Sequence, residues 1–462
     1  MASIFSHIKN VYLSMSPPIP APSENDREPL RMGILGAVNI APNAVIVPSK
    51  SSTGLKVTSI AARDSKRAEE FAKSHGIAKV YGGRVDVVYN PLPNGLHLKW
   101  TTEAVKNSKD VLCEKPLASN TQQAREMCAV AREHNRVVLE AFHYRFHPSL
   151  HVFAYHLRKA RTPENPLVGV KASMMVPDGF IKDSDIRFSY PLAGGALMDC
   201  GVYPISTVLY AVRVAGEGAR AGSDFDFAAW SSGIEVVNAD SVLFSTSDTK
   251  VLEAKANLNA EASQQSMKPQ AQNCWFQFLV VLRDRKCHTP AWWEGPKLSL
   301  PTVDATLKDG TKIELVNYIA PSIYHCITVT SPSGQQQYYK AYTPSQNSST
   351  DLGVTAAVDG KWESTVGKLW SEFERKFIFV APLPLPSHAG TTYRYTIEAF
   401  DLGVQAFKRG TAPVLVAPPS SADDAKKRKG GWAPVWMDNR KSEVIMECVD
   451  KIYEKSGLGK PS

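Results

Sequence analysis

The sequence predicts an α/β N-terminal Rossmann domain, followed by an α+β domain with a large, mainly antiparallel sheet. Short apolar strands alternate with helical segments from residue 31 to residue 142, which is the pattern of a doubly wound parallel sheet. A glycine-containing turn follows the first of these strands. After about residue 150, strands such as 275–282 and 323–330 follow one another with few helices between them, which favours an antiparallel sheet.

Length and composition limit the class of protein. The chain has 462 residues, more than one ordinary core contains, so two domains are expected. Its apolar and charged fractions, 43% and 21%, are typical of a globular protein, and no apolar run approaches the roughly 20 residues that cross a bilayer. Seven cysteines without a C-x-x-C pair indicate a reducing, cytoplasmic location and neither a disulfide nor a zinc framework.

Two further patterns predict neither nucleic-acid nor metal binding. The net charge of +8 is spread along the chain, and the basic tetrad Lys426–Lys429 lies between acidic and glycine pairs, as in a solvated loop. His143, His147 and His151 recur every four residues, but Pro148 interrupts the helix that a metal site on them would need.

The first strand, Arg31 to Leu35, runs into a turn that fits a dinucleotide-binding motif. Residues Gly36 to Ala41 read G-A-V-N-I-A, which has the spacing G-x-G-x-x-A. After a strand, this turn lets the backbone approach a diphosphate and aims a helix N-terminus at it. Val38 stands where the second glycine is expected, so its Cβ should push the diphosphate outward or require a rearranged turn.

The end of the second strand indicates which dinucleotide binds. This strand, Val57 to Ala62, is followed by Arg63 and Asp64. An NAD site usually has a carboxylate there for the ribose 2′-hydroxyl, whereas an arginine can bind a 2′-phosphate. Arg63 therefore favours NADP as the cofactor; a solvent-facing arginine at a strand end is the alternative.

The connection between the next two strands is too short. Strands at Ala78–Tyr81 and Val85–Asn90 are separated only by Gly82, Gly83 and Arg84. Parallel neighbours need a crossover of a dozen or more residues. Either one of the two strands lies outside the parallel sheet, or a helix is missing here.

A lysine and a tyrosine carry the predicted chemistry. Lys115 follows the strand 109–113 and precedes Pro116, which holds its backbone extended. Asp199 and Tyr203 share one face if their stretch is helical, and Pro204 is compatible only with a first helical turn. A nearby ammonium lowers the pKa of a phenol, so this pair could take a proton from a hydroxyl whose carbon loses hydride. We therefore predict a pyridine-nucleotide oxidoreductase; a surface lysine and a buried structural tyrosine are the alternatives.

With these segments placed, the chain resembles the Gfo/Idh/MocA family of NAD(P)-dependent sugar oxidoreductases. It is most similar to the branch of dimeric dihydrodiol dehydrogenases and fungal NADP-dependent D-xylose 1-dehydrogenases. The matching motifs are Gly33–Ala41, Tyr89–His97, Glu114–Pro116, Glu140–Pro148, Asp185–Phe188 and Gly194–Tyr203. The chain departs from the family at Val38, at Asn107–Asp110 and at the short connection before Val85.

The resemblance implies a set of site residues. Lys115, Asp199 and Tyr203 would be catalytic, with Tyr203 as general acid/base and Asp199 orienting the lysine or the substrate hydroxyl. The substrate would contact His143, Arg187 and Phe188, with surface placement of the last two as the alternative. The cofactor-binding residues would be Gly36, Ala37, Asn39, Ile40, Ala41, Arg63, Asn90, Pro91, Leu92, Asn94, His97, Glu114, Lys115 and Arg145.

The resemblance also implies an activity and an assembly. An NADP-dependent enzyme would move hydride from C1 of an aldose, D-xylose being favoured, and produce a lactone. The alternatives are a trans-dihydrodiol dehydrogenase and a non-catalytic NADP-binding sensor on the same fold. We expect a disordered leader over residues 1–29, a dinucleotide-binding Rossmann domain over 30–148, and a substrate-binding and dimerisation domain over 149–462, in a homodimer.

Overall fold

The computed structural model describes residues 28–176, 185–189, 192–217, 234–243, 251–260, 275–282, 300–322, 325–341, 354–358, 392–408 and 439–455. The expected leader up to residue 27 and the basic tetrad Lys426–Lys429 lie outside these ranges. No helix within them is both long and apolar enough to cross a membrane.

The first sheet is parallel throughout. Its strands are β1 (Leu30–Leu35), β2 (Leu55–Ala61), β3 (Lys79–Val80), β4 (Val87–Asn90), β5 (Asp110–Cys113) and β6 (Val138–Glu140). In the described part of the chain their order is β3-β2-β1-β4-β5-β6. All residues of the three later strands are buried, as expected for a parallel sheet covered on both faces. The predicted Rossmann domain is confirmed.

Helices connect these strands and cover the sheet. A π turn (Pro42–Ile46) leads into α1 (Val47–Lys50), followed by α2 (Ser65–His75), α3 (His97–Lys106), α4 (Thr121–Glu133) and α5 (Pro148–Ala160). Asp64 caps α2 by accepting a hydrogen bond from the Arg67 N–H at 3.0 Å, and Asn120 caps α4 in the same way. Gly76 ends α2 with a φ of 69°, a left-handed conformation that glycine adopts without strain.

The short connection between β3 and β4 has no helix, although both strands belong to the parallel sheet. The six residues 81–86 pass across β2 and β1. Three inter-strand steps amount to roughly 14 Å, and six residues can span about 20 Å. Val85 packs against Gly33, whose ideal Cβ would lie 3.2 Å from its methyl groups. Asp86 then pairs with Arg31 at 2.8 Å, and the hydrogen bond from Arg31 lowers the pKa of Asp86 to about 2.

The second sheet is mainly antiparallel, as predicted. In the described ranges its order is β15-β14-β13-β12-β11-β7-β10-β9-β8, and only the β7–β10 pair is parallel. Buried and half-buried residues alternate along β11, so one face of the sheet is covered, and α5 packs against β12 on it. The strands are β7 (Leu167–Val176), β8 (Ile234–Leu243), β9 (Val251–Ala260), β10 (Trp275–Leu282), β11 (Thr302–Leu307), β12 (Lys312–Val316), β13 (Cys326–Thr330), β14 (Gln336–Ala341) and β15 (Val354–Val358).

Three later helices join the two sheets. A π turn (Leu197–Gly201) leads into α6 (Val202–Glu217), which packs on β7 of the second sheet. The last two helices, α7 (Thr392–Lys408) and α8 (Asn439–Lys455), return to the Rossmann domain and contact β2 and α4, respectively. One stripe of α8 is apolar and at most 2% exposed; it comprises Val444, Ile445, Cys448, Val449, Ile452 and Tyr453.

Candidate active site

The turn after β1 has the geometry of a phosphate-binding turn. Gly36 has a φ of 89°, in the region that favours glycine, and a Cβ there would lie 3.1 Å from Leu92 Cδ2. Val38 is half-buried against the core, so the turn accommodates a Cβ at this position. In the described part of the chain, the backbone N–H groups of Ala37, Asn39 and Ile40 donate to no backbone carbonyl. Because they precede a helical segment that begins at Ala41, they fit a bound diphosphate.

Two arginines lie at the end of β2. Arg63 is exposed two residues beyond the strand. The Arg67 guanidinium, on the first turn of α2, donates to the Ala37 carbonyl at 2.8 Å. Sequence reasoning missed Arg67, since only the fold places this helix beside the glycine turn. Both cations are positioned near the predicted 2′-phosphate site.

His97 is a brace between two loops. One ring nitrogen, Nε2, lies 2.7 Å from the Leu92 carbonyl, and the other, Nδ1, lies 2.8 Å from the Pro116 carbonyl. Burial lowers the pKa of His97, and the two carbonyls offset this only in part. Both nitrogens thus face the backbone, so the ring acts on a bound cofactor by holding the Leu92 loop in place.

The other predicted residues of this loop are also held by the protein. The buried Asn90 donates through Nδ2 to Thr101 Oγ1 at 3.0 Å. Asn94 donates to the Ala193 carbonyl at 2.7 Å and so ties the loop to the turn before the second π turn. Pro91 is buried between them. The loop is therefore rigidly attached on both sides of the candidate site.

Lys115 is held by both the side chain and the backbone of Asp199. Its Nζ donates to Asp199 Oδ1 at 2.7 Å and to the Asp199 carbonyl at 2.6 Å. The π turn joins residues five apart: the Val202 N–H bonds to the Leu197 carbonyl. In the same pattern the Asp199 carbonyl would accept from the N–H of residue 204, but Pro204 has no N–H. The Asp199 carbonyl is therefore available to Lys115. Pro204 was expected only in a first helical turn, yet it follows this π turn inside one continuous helical segment.

Asp199 is ionised in spite of its surroundings. Burial raises its pKa, but the Lys115 ammonium and the Arg187 guanidinium, 3.4 Å from Oδ2, outweigh burial and lower the pKa below its usual value. Arg187 is itself exposed and pairs with Asp185 at 2.9 Å. The site therefore holds two cations around one carboxylate, which makes it suitable for an oxygen-rich substrate.

Glu114 is a half-buried carboxyl that contacts the backbone of the lysine turn. Tyr89 of β4 donates its hydroxyl to Glu114 Oε1 at 2.6 Å, and the Lys115 N–H lies 3.3 Å from Oε2. Burial raises the pKa of Glu114, and the bond from Tyr89 opposes this shift. Glu114 thus fixes the backbone that presents Lys115.

Tyr203 lies beside Lys115, but the predicted effect of the lysine on its acidity is wrong. The Lys115 Nζ is 4.8 Å from the centre of the Tyr203 ring and bonds to Asp199 instead of the phenol oxygen. Burial, followed by the nearby Tyr393, raises the pKa of Tyr203 well above its usual value. The Tyr203 hydroxyl lies 3.3 Å from His143 Nε2. The resting tyrosine is therefore a protonated phenol.

The remaining predicted residues divide between the site and the core. His143 contacts Tyr203, as a pocket residue should, whereas Arg145 does not reach the site. The Arg145 guanidinium is buried, donates to the Ser206 carbonyl at 3.1 Å and lies over the Tyr210 ring at 4.4 Å. Its predicted contact with the nicotinamide is replaced by packing on α6. Phe188 lies on a 3-10 turn, and its side chain is outside the described part.

The fold also brings the start of α7 into the site. Thr392 Oγ1 lies 2.7 Å from His143 Nδ1, and the Tyr393 ring packs on the His143 ring with centroids 4.4 Å apart. Sequence reasoning missed both residues, which lie about 250 positions from His143 and carry no motif. Within the described residues, no group of three or more potential ligands is placed to hold a metal ion.

The first domain matches a known family. Residues 30–142 match the Gfo/Idh/MocA family model, described as an oxidoreductase family with an NAD-binding Rossmann fold. These residues are a Gfo/Idh/MocA domain. The Gfo/Idh/MocA domain contains the glycine turn, the His97 brace and Lys115, while Asp199, Tyr203 and the α7 residues lie beyond it.

Two curated relatives match part of the chain. A D-xylose 1-dehydrogenase (NADP⁺) of Haloferax volcanii is 36% identical over 38% of this chain and 55% of its own length. A trans-1,2-dihydrobenzene-1,2-diol dehydrogenase of Xenopus tropicalis is 32% identical over 38% of this chain and 55% of its own. The chain thus spans about half the length of the curated relatives it matches.

A solved structure shares the fold over nearly the whole chain. It is a 3-ketoreductase from Actinomadura kijaniata in complex with NADP and TDP-benzene, with a TM-score of 0.58 and 20% identity. The similarity covers 92% of this chain and 98% of that one. The two-domain fold described above is therefore shared with that structure over nearly the whole chain.

Proposed function

We propose that the chain is an NADP-dependent oxidoreductase that moves hydride between C1 of an aldose and the nicotinamide, with D-xylose as the leading substrate. The observation that carries this proposal is the meeting of Lys115, Asp199 and Tyr203 at the carboxyl edge of the parallel sheet. The N–H groups of the glycine turn lie at the same edge, where open α/β sheets bind ligands. NADP is supported by Arg63 and Arg67 and by the name of the Haloferax relative.

The chain's own residues account for the proton side of the reaction. The bound nicotinamide supplies the hydride acceptor or donor. Lys115, anchored on Asp199, presents its ammonium to the reacting oxygen of the sugar and fixes it near Tyr203. During oxidation Tyr203 first loses its own proton to water and, as a phenolate, then takes the hydroxyl proton; during reduction the phenol gives its proton to the carbonyl oxygen.

A second candidate is hydride transfer from the reduced nicotinamide to the carbonyl carbon of a keto sugar. Burial raises the pKa of Tyr203, so the phenol keeps its proton and is better prepared to donate it than to accept one. This is the state that carbonyl reduction requires. Assays in both directions, with NADP and with NADPH, are therefore needed.

The decisive experiment is turnover of the purified protein followed by NADPH fluorescence. Titration with NADP and D-xylose should produce NADPH, and Tyr203→Phe should lower kcat by about 10²- to 10⁴-fold, the usual contribution of a general acid or base. Tyr339→Phe is the matched control, because Tyr339 is equally buried but lies on β14. It should keep kcat within about twofold of the wild type, since removing one hydroxyl outside the site affects no catalytic group.

Other outcomes would change the proposal in defined ways. Turnover of trans-dihydrodiols but not of D-xylose would indicate a dihydrodiol dehydrogenase, as the Xenopus relative is named. Binding of NADPH without turnover of any sugar or diol would overturn the catalytic proposal and leave the sensor. The retention of Lys115, Asp199 and Tyr203 in one site argues against that sensor.

We also propose that the chain forms a homodimer through its second sheet, as the family resemblance implies. Along β11 the buried side chains lie on one face of the sheet, whereas Thr302, Asp304 and Thr306 on the other face are half-buried and polar. Light scattering should give about twice the chain mass of 50.6 kDa. A mass of one chain at micromolar concentration would exclude this assembly.

A further inference from the structure

His143 lies between two hydroxyl groups. Its Nε2 is 3.3 Å from the Tyr203 hydroxyl and its Nδ1 is 2.7 Å from Thr392 Oγ1. Thr392 begins α7, so the C-terminal part of the chain reaches the candidate acid/base through this imidazole. All three side chains are at most 6% exposed.

The ring of His143 is held in one orientation. The Tyr393 ring packs against one face, tilted by 34°. Thr396, one turn further along α7, donates to the His143 carbonyl at 3.3 Å and holds the backbone. Burial, and then the Lys115 ammonium, lower the pKa of His143 to about 3, so the imidazole is neutral and has one donor and one acceptor nitrogen.

The hydrogen-bonding capacity of Thr392 decides which nitrogen carries the proton. Among the residues that the structure describes, the Thr392 hydroxyl has His143 Nδ1 as its one partner. If the hydroxyl accepted a hydrogen bond from Nδ1, its own buried proton would lack an acceptor, which is costly. The hydroxyl therefore donates to Nδ1, and the imidazole proton is on Nε2.

This arrangement orients the phenol. A proton on Nε2 points at the Tyr203 oxygen, so the tyrosine accepts from His143 and its own O–H is directed elsewhere, towards the substrate. The phenolate formed when Tyr203 gives up its proton keeps the same donor, which stabilises it.

We propose that Thr392 is a positioning residue of the reaction: by donating to His143 Nδ1, it keeps the Nε2–H bond on Tyr203 and leaves the Tyr203 proton for the substrate. The proposal rests on the proposed function and adds a residue of the C-terminal helix to it. No proton leaves the Thr392–His143 pair during the reaction; the only transfer is between Tyr203 and the substrate oxygen.

The test compares Thr392→Val with Thr392→Ser and Thr328→Val. Thr392→Val is close in shape and removes the hydroxyl, and it should lower kcat about tenfold while KM stays within about threefold. It should also move the Tyr203 limb of the kcat–pH profile up by about one unit. Thr392→Ser keeps the hydroxyl and should restore both. Thr328→Val changes a similarly buried threonine on β13, outside the site, and should leave kcat and the pH profile unchanged.

The groups that also face Tyr203 and His143 are Lys115, Glu114, Asp199, Cys200 and Tyr393. All five are kept in these variants, so a changed pH profile reports on the Thr392 hydroxyl. Equal loss of activity in Thr392→Val and Thr328→Val, or full kcat in Thr392→Val, would overturn the proposal.

The tautomer can be read without turnover, which separates this proposal from the proposed function. Long-range ¹H–¹⁵N spectra of protein labelled with ¹⁵N-histidine should show the Nε2–H form for His143, identified by its loss in His143→Gln. Thr392→Val should give a mixture of the two forms. An Nδ1–H form in the wild type would refute the Thr392 assignment even if the enzyme is active. Absence of turnover together with the expected spectrum would refute only the proposed function.

Discussion

Single residues explain why Lys115 is placed so firmly. Its ammonium has two acceptors from one residue, the carboxylate and the carbonyl of Asp199. The carbonyl is available because the donor that the π pattern would supply is a proline. Pro204, which has no N–H, thus leaves the Asp199 carbonyl available as an acceptor for Lys115. Charge-assisted bonds of this kind are about twice as strong as neutral ones.

Replacing Pro204 with alanine should therefore weaken the site without weakening the fold. The new N–H would compete with Lys115 for the Asp199 carbonyl, and loss of one bond to a charged group should lower kcat by about tenfold or more. The melting temperature should stay the same or rise, because alanine is the better helix former by about 3 kcal/mol. Steady-state kinetics and calorimetry on Pro204→Ala give both values. An unchanged kcat in the folded variant would show that the carbonyl bond does not position the lysine.

At the scale of elements, the sequence was most informative where patterns are local. The alternation of strands and helices predicts the doubly wound parallel sheet, and the loop length alone indicates that one strand lies outside this sheet or that a helix is missing before β4. The sequence could not show how the chain connects β3 to β4 without a helix. Val85 fills the space over Gly33 and Asp86 closes the connection on Arg31, and these contacts depend on which strands the connection crosses.

The candidate site divides in the same way. Lys115, Asp199 and Tyr203 were predicted because motifs mark them, whereas Thr392 and Tyr393 come from a helix without a motif. The acidity of Tyr203 was predicted in the wrong direction, because a sequence shows neighbouring charges but not the burial that outweighs them. Arg145 was misplaced for a similar reason, since its partner, the Ser206 carbonyl, is a backbone group that carries no sequence signal.

The whole molecule is held together by its C-terminal helices. α7 contacts the Rossmann domain through Arg394, which donates to the Ser51 carbonyl at 3.1 Å. α8 lies on α4, where Asp450 accepts from the Thr121 N–H at 3.2 Å and Glu447 pairs with Arg125 at 2.9 Å. Because the chain leaves the Rossmann domain and returns to it, a change that disrupts one domain should also destabilise the other.

Glu140 provides a test of this coupling that uses pH. The buried Glu140 of β6 accepts from the Leu117 N–H at 2.8 Å and is hydrogen-bonded to Ser442 of α8. Burial raises its pKa from 4.5 to about 7. Between these values the unfolded chain releases a proton that the folded protein keeps, so the free energy of unfolding should fall as the pH rises from about 4.5 to 7, and then level off. The total fall is on the order of 3 kcal/mol.

Glu140→Gln should remove this part of the pH dependence, because the amide keeps the size and the acceptor oxygen but does not ionise. Calorimetry at a series of pH values should show that the free energy of unfolding of the variant rises relative to that of the wild type between about pH 4.5 and 7. Glu126→Gln, the same change at an exposed position on α4, should follow the wild type. Burial also raises the pKa of Glu398 to about 7, whereas the lowered pKa of Asp86 gives a pH dependence of stability of the opposite sign at low pH. Both contributions are the same in all three proteins, so the difference between their stability–pH curves isolates Glu140. If Glu140→Gln keeps the full slope, Glu140 is ionised in the fold and its link between β6 and α8 is a charged one.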